Sequence, residues 1–291
     1  MVGNKEVRGV IRMQSMYGLE ADDGRVVDLV SGSQLFNLSF NEIDLSGMVL
    51  CNSNIVNCRF VGCSLKLVDF SGATFTDVEF VGCSFSRAEL MRAKFNGVTF
   101  AECTIPDCNF EEASLTRVTF QRCEFDNVSF IKTYWGVSSM VECSLNCMIA
   151  EEASFNLVSF ERNKFSGYNI QFKKCDFWAE TWTRNELGGS KFENVTFTWM
   201  AFDRNDFSDS EFLRCEFRMC EHFHGSFKGC NFTSTVMFKS RFHSCRFQIA
   251  DMGLTFERSL VEKSNFNFAD VDDLIFYDSM LVGNFFQSNV A

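Results

Sequence analysis

The sequence predicts an all-β chain, wound as a right-handed quadrilateral parallel β-helix of about 13 coils and filled with stacked phenylalanine rings. Three observations predict it. The composition is abnormal: 36 of 291 residues are Phe and only one is Pro, whereas ordinary usage is led by Leu, Ala and Gly. A large apolar residue recurs every five positions over most of the chain. Residues of one kind recur every 20 positions. A period of five matches neither the 3.6 of a helix nor the 2 of a strand. It needs a chain that turns a corner every five residues, and a lag of 20 puts four such corners in one coil.

The first element, residues 1–32, stands outside the pattern. Tyr17-Gly18-Leu19 and Val26 to Val30 flank Asp22-Asp23-Gly24, a hairpin-turn signal. This segment is expected to cap the first coil, whose backbone edge would otherwise stay open. The repeats follow over 33–286. Large residues run from Leu35 through Phe40, Leu45, Leu50, Ile55 and Phe60 in unbroken register to Ile170. The phase then shifts by two and continues from Phe172 through Phe177, Trp182, Leu187 and Phe192 to Met252. A last phase holds from Phe256 to Phe286. These slots take 31 of the 36 Phe. Two stretches look irregular and are expected to be either bulged loops or packing defects. Thr133 to Ala150 places Trp135, Met140 and Ala150 in large slots; Glu180 to Ser190 places Glu180 and Asn185 in small ones. Residues 287–291 form a short tail. No amphipathic helix follows Phe286, so a second copy is expected to cover the last coil, giving a homodimer through a coil end.

Two residues before each large slot sits a small one, and 12 of the 14 Cys take this position; Cys51 and Cys147 do not. Cys63, Cys83, Cys103, Cys123 and Cys143 are each 20 apart, and Ala73, Ala93, Ala113 and Ala153 form a second such column, with Thr133 the exception. These Cys, with Phe75, Phe80 and Phe85, are therefore expected in the core. Charge supports the same winding. Arg92, Glu112, Lys132 and Glu152 alternate in sign at lag 20, and so do Glu102, Arg122, Glu142 and Arg162. Adjacent rungs of a parallel ladder lie roughly 4.8 Å apart, where opposite charges attract and like charges repel. Some 13 coils at that spacing make a rod about 60 Å long.

The same register removes most of the chemistry that the composition suggests. Cys58/Cys63, Cys103/Cys108 and Cys215/Cys220 are five apart, not the two to four of zinc ligands. They read as small buried residues with free thiols. Of the three His, His222 falls in a large core slot, while His224 and His243 fall outside. No nucleophile elbow, metalloprotease helix or phosphate loop is present. No enzyme activity, metal or cofactor is expected. No apolar stretch reaches the length of a membrane span, and residues 1–30 hold no apolar run of signal-peptide length. The expected location is cytoplasmic. The net charge of −11 disfavours direct binding to nucleic acid. It is unevenly spread: residues 101–170 hold 10 acids and 5 bases, but residues 171–250 hold 10 acids and 11 bases.

Ala73-Thr74-Phe75-Thr76-Asp77 and Cys83-Ser84-Phe85-Ser86-Arg87 repeat a motif of small, polar, then Leu or Phe, then two variable residues. From Ser33 to Phe286 the sequence resembles the pentapeptide-repeat family, in the style of its Phe- and Cys-rich Qnr and MfpA branch. That resemblance implies a non-catalytic rod that imitates DNA and binds a bacterial type II topoisomerase, DNA gyrase or topoisomerase IV, protecting it from quinolones. The alternative it implies is a secreted bacterial effector or interaction scaffold. The residues themselves offer one candidate partner-binding patch. Trp178, Trp199, Met219 and Phe238 all fall just after large slots, in outward positions on one face.

Overall fold

The computed structural model describes residues 18–22, 24–251, 254–268 and 274–288. The chain winds as a parallel β-solenoid. Two of its walls are 13-stranded parallel sheets. The first wall runs from Gln34–Phe36 to Leu274–Tyr277, and the second from Ser39–Asn41 to Met280–Val282. The third and fourth walls begin as single-residue bridges, Asp44 to Ser64 to Ser84 and Val49 to Asp69 to Glu89. They merge further on into a 10-stranded sheet, in which strands such as Ser144–Glu151 and Lys164–Lys173 run round the corner between them. Thirteen rungs make about 12 turns. No helix occurs among the described residues. At the N-terminal end Gly18–Glu20 pairs antiparallel with Val26–Asp28. Ala21 and Leu29 are buried against the first coil, and the Asp22 amide donates to the Ser39 carbonyl at 3.0 Å. Residues 1–17 and 289–291 lie outside the described residues, as does Met252.

The period of five works through two kinds of ring contact. Along a wall, equivalent rings stack face to face: Phe75 and Phe95 lie 4.8 Å apart at 4°. Around the coil, rings on adjacent walls meet edge to face, as Phe75 and Phe80 do at 5.8 Å and 65°. Both arrangements suit the quadrupole of an aromatic ring. Phe75, Phe80 and Phe85 are buried, as are Cys63, Cys83, Cys103, Cys123 and Cys143. Each thiol in this Cys column donates to the carbonyl of the large residue one coil back, from Cys63 Sγ to Phe40 O at 3.4 Å through Cys143 Sγ to Phe120 O at 3.5 Å. Asn163, Asn185 and Asn205 continue the column. Their side-chain amides donate to the Met140, Phe160 and Trp182 carbonyls, and their oxygens accept the backbone N–H one coil back. A corner that breaks the ladder leaves these groups without sheet partners, and a buried one must find another. All cysteines are free.

The structure corrects the register in one place. Ile170 is not a large-slot residue. It pairs with Met148, and Phe172 pairs with Ala150, so the two extra residues enter between Ser166 and Ile170. Glu180 to Ser190 stays in register with the coils on either side. Thr133 to Ala150 does so with the coil before it, while the coil after it bulges opposite Asn146 and Met148. Their odd polar residues serve two tryptophans. Where Trp replaces Phe in the core, its indole N–H needs an acceptor. Thr133 Oγ1 accepts from Trp135 Nε1 at 3.1 Å, and Glu180 Oε2 accepts from Trp182 Nε1 at 3.3 Å. In each case the acceptor sits in the small slot two residues before the ring.

Candidate functional site

The residue two places after each large slot adopts left-handed backbone geometry, with φ between 48° and 59° at the non-glycine corners. On the edge between the first and second walls this corner column opens with residues that tolerate such φ: Asn37, Asn57, Asp77 and Gly97. After Arg117 it changes character. Val137, Leu157, Ala179, Trp199 and Met219 follow on five consecutive coils. Val137 is 60% exposed, Leu157 50%, Trp199 52% and Met219 40%. Left-handed φ is an outlier for β-branched and bulky residues, and exposure denies them burial energy. Neither the backbone nor the core asks for these side chains.

Three of the four residues expected to form a partner-binding patch meet directly on this edge. Trp178, on the outer surface of the first wall between Asn156 and Thr198, packs on Trp199 with ring centroids 5.4 Å apart at 46°. Trp199 Nε1 reaches Met219 Sδ at 3.1 Å. Phe238 continues the wall beyond Arg218, half-buried, with the Lys239 ammonium 5.1 Å from its ring centre. Met237 fills the core beneath it. The wall therefore keeps its register there.

Val137, Leu157 and Tyr134 belong to the same edge and escaped the sequence reading. Val137 and Leu157 occupy the same repeat position as Trp199, which was the available signal. Tyr134 is exposed and lays its ring over Gly136, where an added Cβ would stand 3.0 Å from the ring. Flanking positions are uncharged over four coils: Gly136, Asn156 and Thr198 on one side, and Ser139, Ser159, Thr181 and Ala201 on the other. Depletion of charge with enrichment of Trp, Tyr and Met is the composition of an interface centre.

Much of the acidic charge is spent between coils. Arg59–Glu79, Arg92–Glu112, Arg122–Glu102 and Arg162–Glu142 are ion pairs across one rung. Glu152 pairs with Lys174 rather than with Lys132. Among the acids outside ion pairs, Asp69, Glu89, Asp107 and Asp126 lie along the edge between the third and fourth walls, with Arg87 at a corner among them. At the last described coil Tyr277, Met280, Phe285 and Phe286 are exposed.

Burial holds His222 and the core thiols outside the Cys63–Cys143 column in their neutral forms. His222 is sandwiched between Phe202 and Phe242 with ring centroids 4.4 Å away on each side, and burial lowers its pKa to about 3. Burial pushes the thiols of Cys108, Cys175, Cys215, Cys220, Cys230 and Cys245 up to about 12. Such thiols are poor nucleophiles and poor metal ligands. Among the described residues no cluster of three or more His, Cys, Asp or Glu could hold a metal ion, and no helix is long and apolar enough to cross a membrane.

Residues 33–110 match the family model described as pentapeptide repeat region, and residues 93–130 match pentapeptide repeats (8 copies). A quinolone resistance pentapeptide repeat protein, QnrB96 of Scandinavium goeteborgense, is 36% identical over 73 residues. That match covers 25% of this chain and 32% of the relative, about a third of its length. Among solved structures, QnrB1, a plasmid-mediated fluoroquinolone resistance protein, is 20% identical over 58% of this chain and 86% of its own, with a TM-score of 0.34. HetL from the cyanobacterium Nostoc, a pentapeptide repeat protein involved in heterocyst differentiation regulation, is 11% identical over 74% of this chain and 89% of its own, with a TM-score of 0.31.

Proposed function

We propose that this chain, whose residues 33–130 match models of pentapeptide repeats, is a non-catalytic rod of that family that binds a bacterial type II topoisomerase and protects it from quinolones. The observation that carries protein binding is the edge from Val137 to Met219. There, apolar side chains occupy left-handed corners on consecutive coils at a cost in backbone strain, and Val137, Leu157, Trp199 and Met219 stay exposed rather than packed in the core. Such residues are explained by a partner that buries them. Similarity to a quinolone resistance protein supports the identity of that partner.

DNA mimicry has narrower support. Acids tied to Arg or Lys on the next rung present little net charge, and the edge around Asp69, Glu89, Asp107 and Asp126 also carries Arg87. The core positions of the last described coil, Leu281 and Phe286, are exposed, which supports a second copy stacked on that face.

The test is a supercoiling assay with purified gyrase, ciprofloxacin and a concentration series of this protein. Rescue at micromolar protein is expected, and the double substitution Trp178→Ala with Trp199→Ala should abolish it while leaving the protein folded. Absence of rescue by properly folded wild type would overturn the topoisomerase reading.

A further inference from the structure

The neighbouring edge, between the second and third walls, carries a different anomaly. Its corner column alternates in sign through Glu102, Arg122, Glu142 and Arg162, each pairing across one rung. The next corners are Arg184, Arg204, His224, Ser244 and Lys263. Alternation stops: Arg184 and Arg204 are like charges at rung spacing, which repel, and no acid stands at the three corners that follow. Arg204 and His224 share the single carboxylate of Asp203, at 3.4 and 3.3 Å. This is the part of an acidic chain in which bases outnumber acids.

At the far end of this column the surface opens into a cleft of 290 Å³, with His224, Ser226, Ser244, Arg246 and Lys263 around it and Gly225 and Cys245 at its floor. Gly225 takes the small slot that Asn163, Asn185 and Asn205 fill in earlier coils. Its φ is not left-handed, and an added Cβ would meet only ordinary contacts at 3.6–3.9 Å. Neither the backbone nor the packing requires a glycine there; its effect is to leave space.

Around that space the cationic charge is uncompensated. Arg246 and Lys263 are exposed, and neither forms an ion pair among the described residues. The adjacent carboxylate, Glu262, is committed to Arg241 at 2.9 Å and His243 at 3.4 Å. Among the described residues the Ser244 hydroxyl has no hydrogen-bond partner, whereas Ser226 Oγ reaches Ser208 Oγ at 3.2 Å. The backbone amides here are taken by the ladder, as with Arg246 N to Gly225 O at 2.9 Å. Recognition must therefore come from side chains. A guanidinium, an ammonium and a free hydroxyl facing one small cleft suit a compact, multiply charged oxyanion. The volume lies at the lower end of small-molecule sites, enough for a phosphoryl group and a small organic substituent.

We propose that this cleft binds a phosphoryl group, free or as a small phosphomonoester, held by Arg246 and Lys263 with Ser244 donating a hydrogen bond. The inference is independent of the topoisomerase reading. The experiment is calorimetric titration of the full chain with inorganic phosphate and, separately, with ribose 5-phosphate, against chloride at matched ionic strength. Saturable single-site binding is expected. The double variant Arg246→Gln with Lys263→Gln should weaken it at least tenfold, whereas Lys228→Gln, an exposed lysine outside the cleft, should not change it. Tighter binding of ribose 5-phosphate would make the occupant an ester, and equal binding would make it the free oxyanion. A double variant that retains its melting temperature and binds phosphate as wild type does would overturn the proposal. So would a wild type that responds to phosphate no more than to chloride.

Discussion

Glu180 is the most exposed to contradiction of all the residues in the core, because its placement fixes both the sign and the pH of a stability change. It is buried in the small slot ahead of Trp182, with Val158 and Met200 at the equivalent positions of adjacent coils. One carboxyl oxygen accepts the indole N–H; the other, Oε1, has no partner. No cation reaches it, and burial raises its pKa well above the usual carboxylate range. The folded state therefore binds a proton that the unfolded chain releases above about pH 4.3. With more protons bound in the folded state, stability falls as pH rises, by about 1.4 kcal/mol per unit until the folded pKa is reached. Glu180→Gln keeps an acceptor for Trp182 and removes the titration. It should leave stability nearly unchanged at pH 4 and raise it at pH 7, by at most about 3.7 kcal/mol, the limit set by the roughly 2.7 pH units between pH 7 and the unfolded pKa. The assay is urea unfolding of wild type and variant at matched pH, so that other titrating groups cancel. Long repeat arrays can lose two-state behaviour, so coincidence of fluorescence and circular dichroism must be checked at each pH. A gain that is the same at both pH values, or a loss at pH 7, would refute a protonated Glu180.

Other residues give sharper readings of single features. His222 has the opposite sign: its folded pKa is lowered to about 3 by burial, so the stability it allows is present above about pH 6.5 and is lost as pH falls. His222→Phe, stacking between Phe202 and Phe242, should relieve about 2 kcal/mol at pH 5 and little at pH 8. A thiol reagent under native conditions should modify Cys51 and Cys147, which are partly exposed, with the other 12 reacting only on unfolding; mass spectrometry of the labelled peptides decides. Arg122 lies between Glu102 and Glu142 on adjacent rungs. Arg122→Glu should lower the melting temperature at low ionic strength and do so less in high salt; a salt-independent effect would point to packing instead. Trp199→Asn should leave the melting temperature unchanged or raise it, since Asn tolerates left-handed φ better, and should weaken partner binding in a pull-down or supercoiling assay.

The winding was legible because each coil repeats the same physical demands. Phe at every fifth position and Cys at lag 20 state the slot and the number of walls. The sign alternation through Glu102, Arg122 and Glu142 states which residues lie across a rung. Ile170 misled because an aliphatic side chain fits either slot: counted by fives it continues the first phase, yet it sits two residues before Phe172, in the small one. The segments around Thr133 and Glu180 misled for a related reason. A polar residue in a core slot resembles a decayed repeat until the ring two residues later is recognised as Trp, with an N–H to satisfy. Both pairs were visible in the sequence, but the contact between them required the knowledge that these positions face each other inside the coil.

The surface was less legible because a solenoid separates stability from recognition. Interior slots are over-determined: each ring packs on its neighbours above, below and on the adjacent walls, so composition betrays them. Corner residues touch little, and almost any side chain can stand there at the cost of its φ. That freedom makes a column of like corners informative. Asn37, Asn57 and Asp77 do what the geometry prefers, and need no further explanation. Val137, Leu157, Trp199 and Met219 do the reverse on the same edge of the same rod. The rod holds its rungs at fixed spacing whatever its corners carry, so a run of disfavoured apolar corners becomes a rigid ridge with little side-chain and no backbone ordering left to undergo on binding. A partner with a matching groove loses correspondingly less entropy in the complex, which is a reason for a recognition surface to be carried on corners of this kind rather than on a loop.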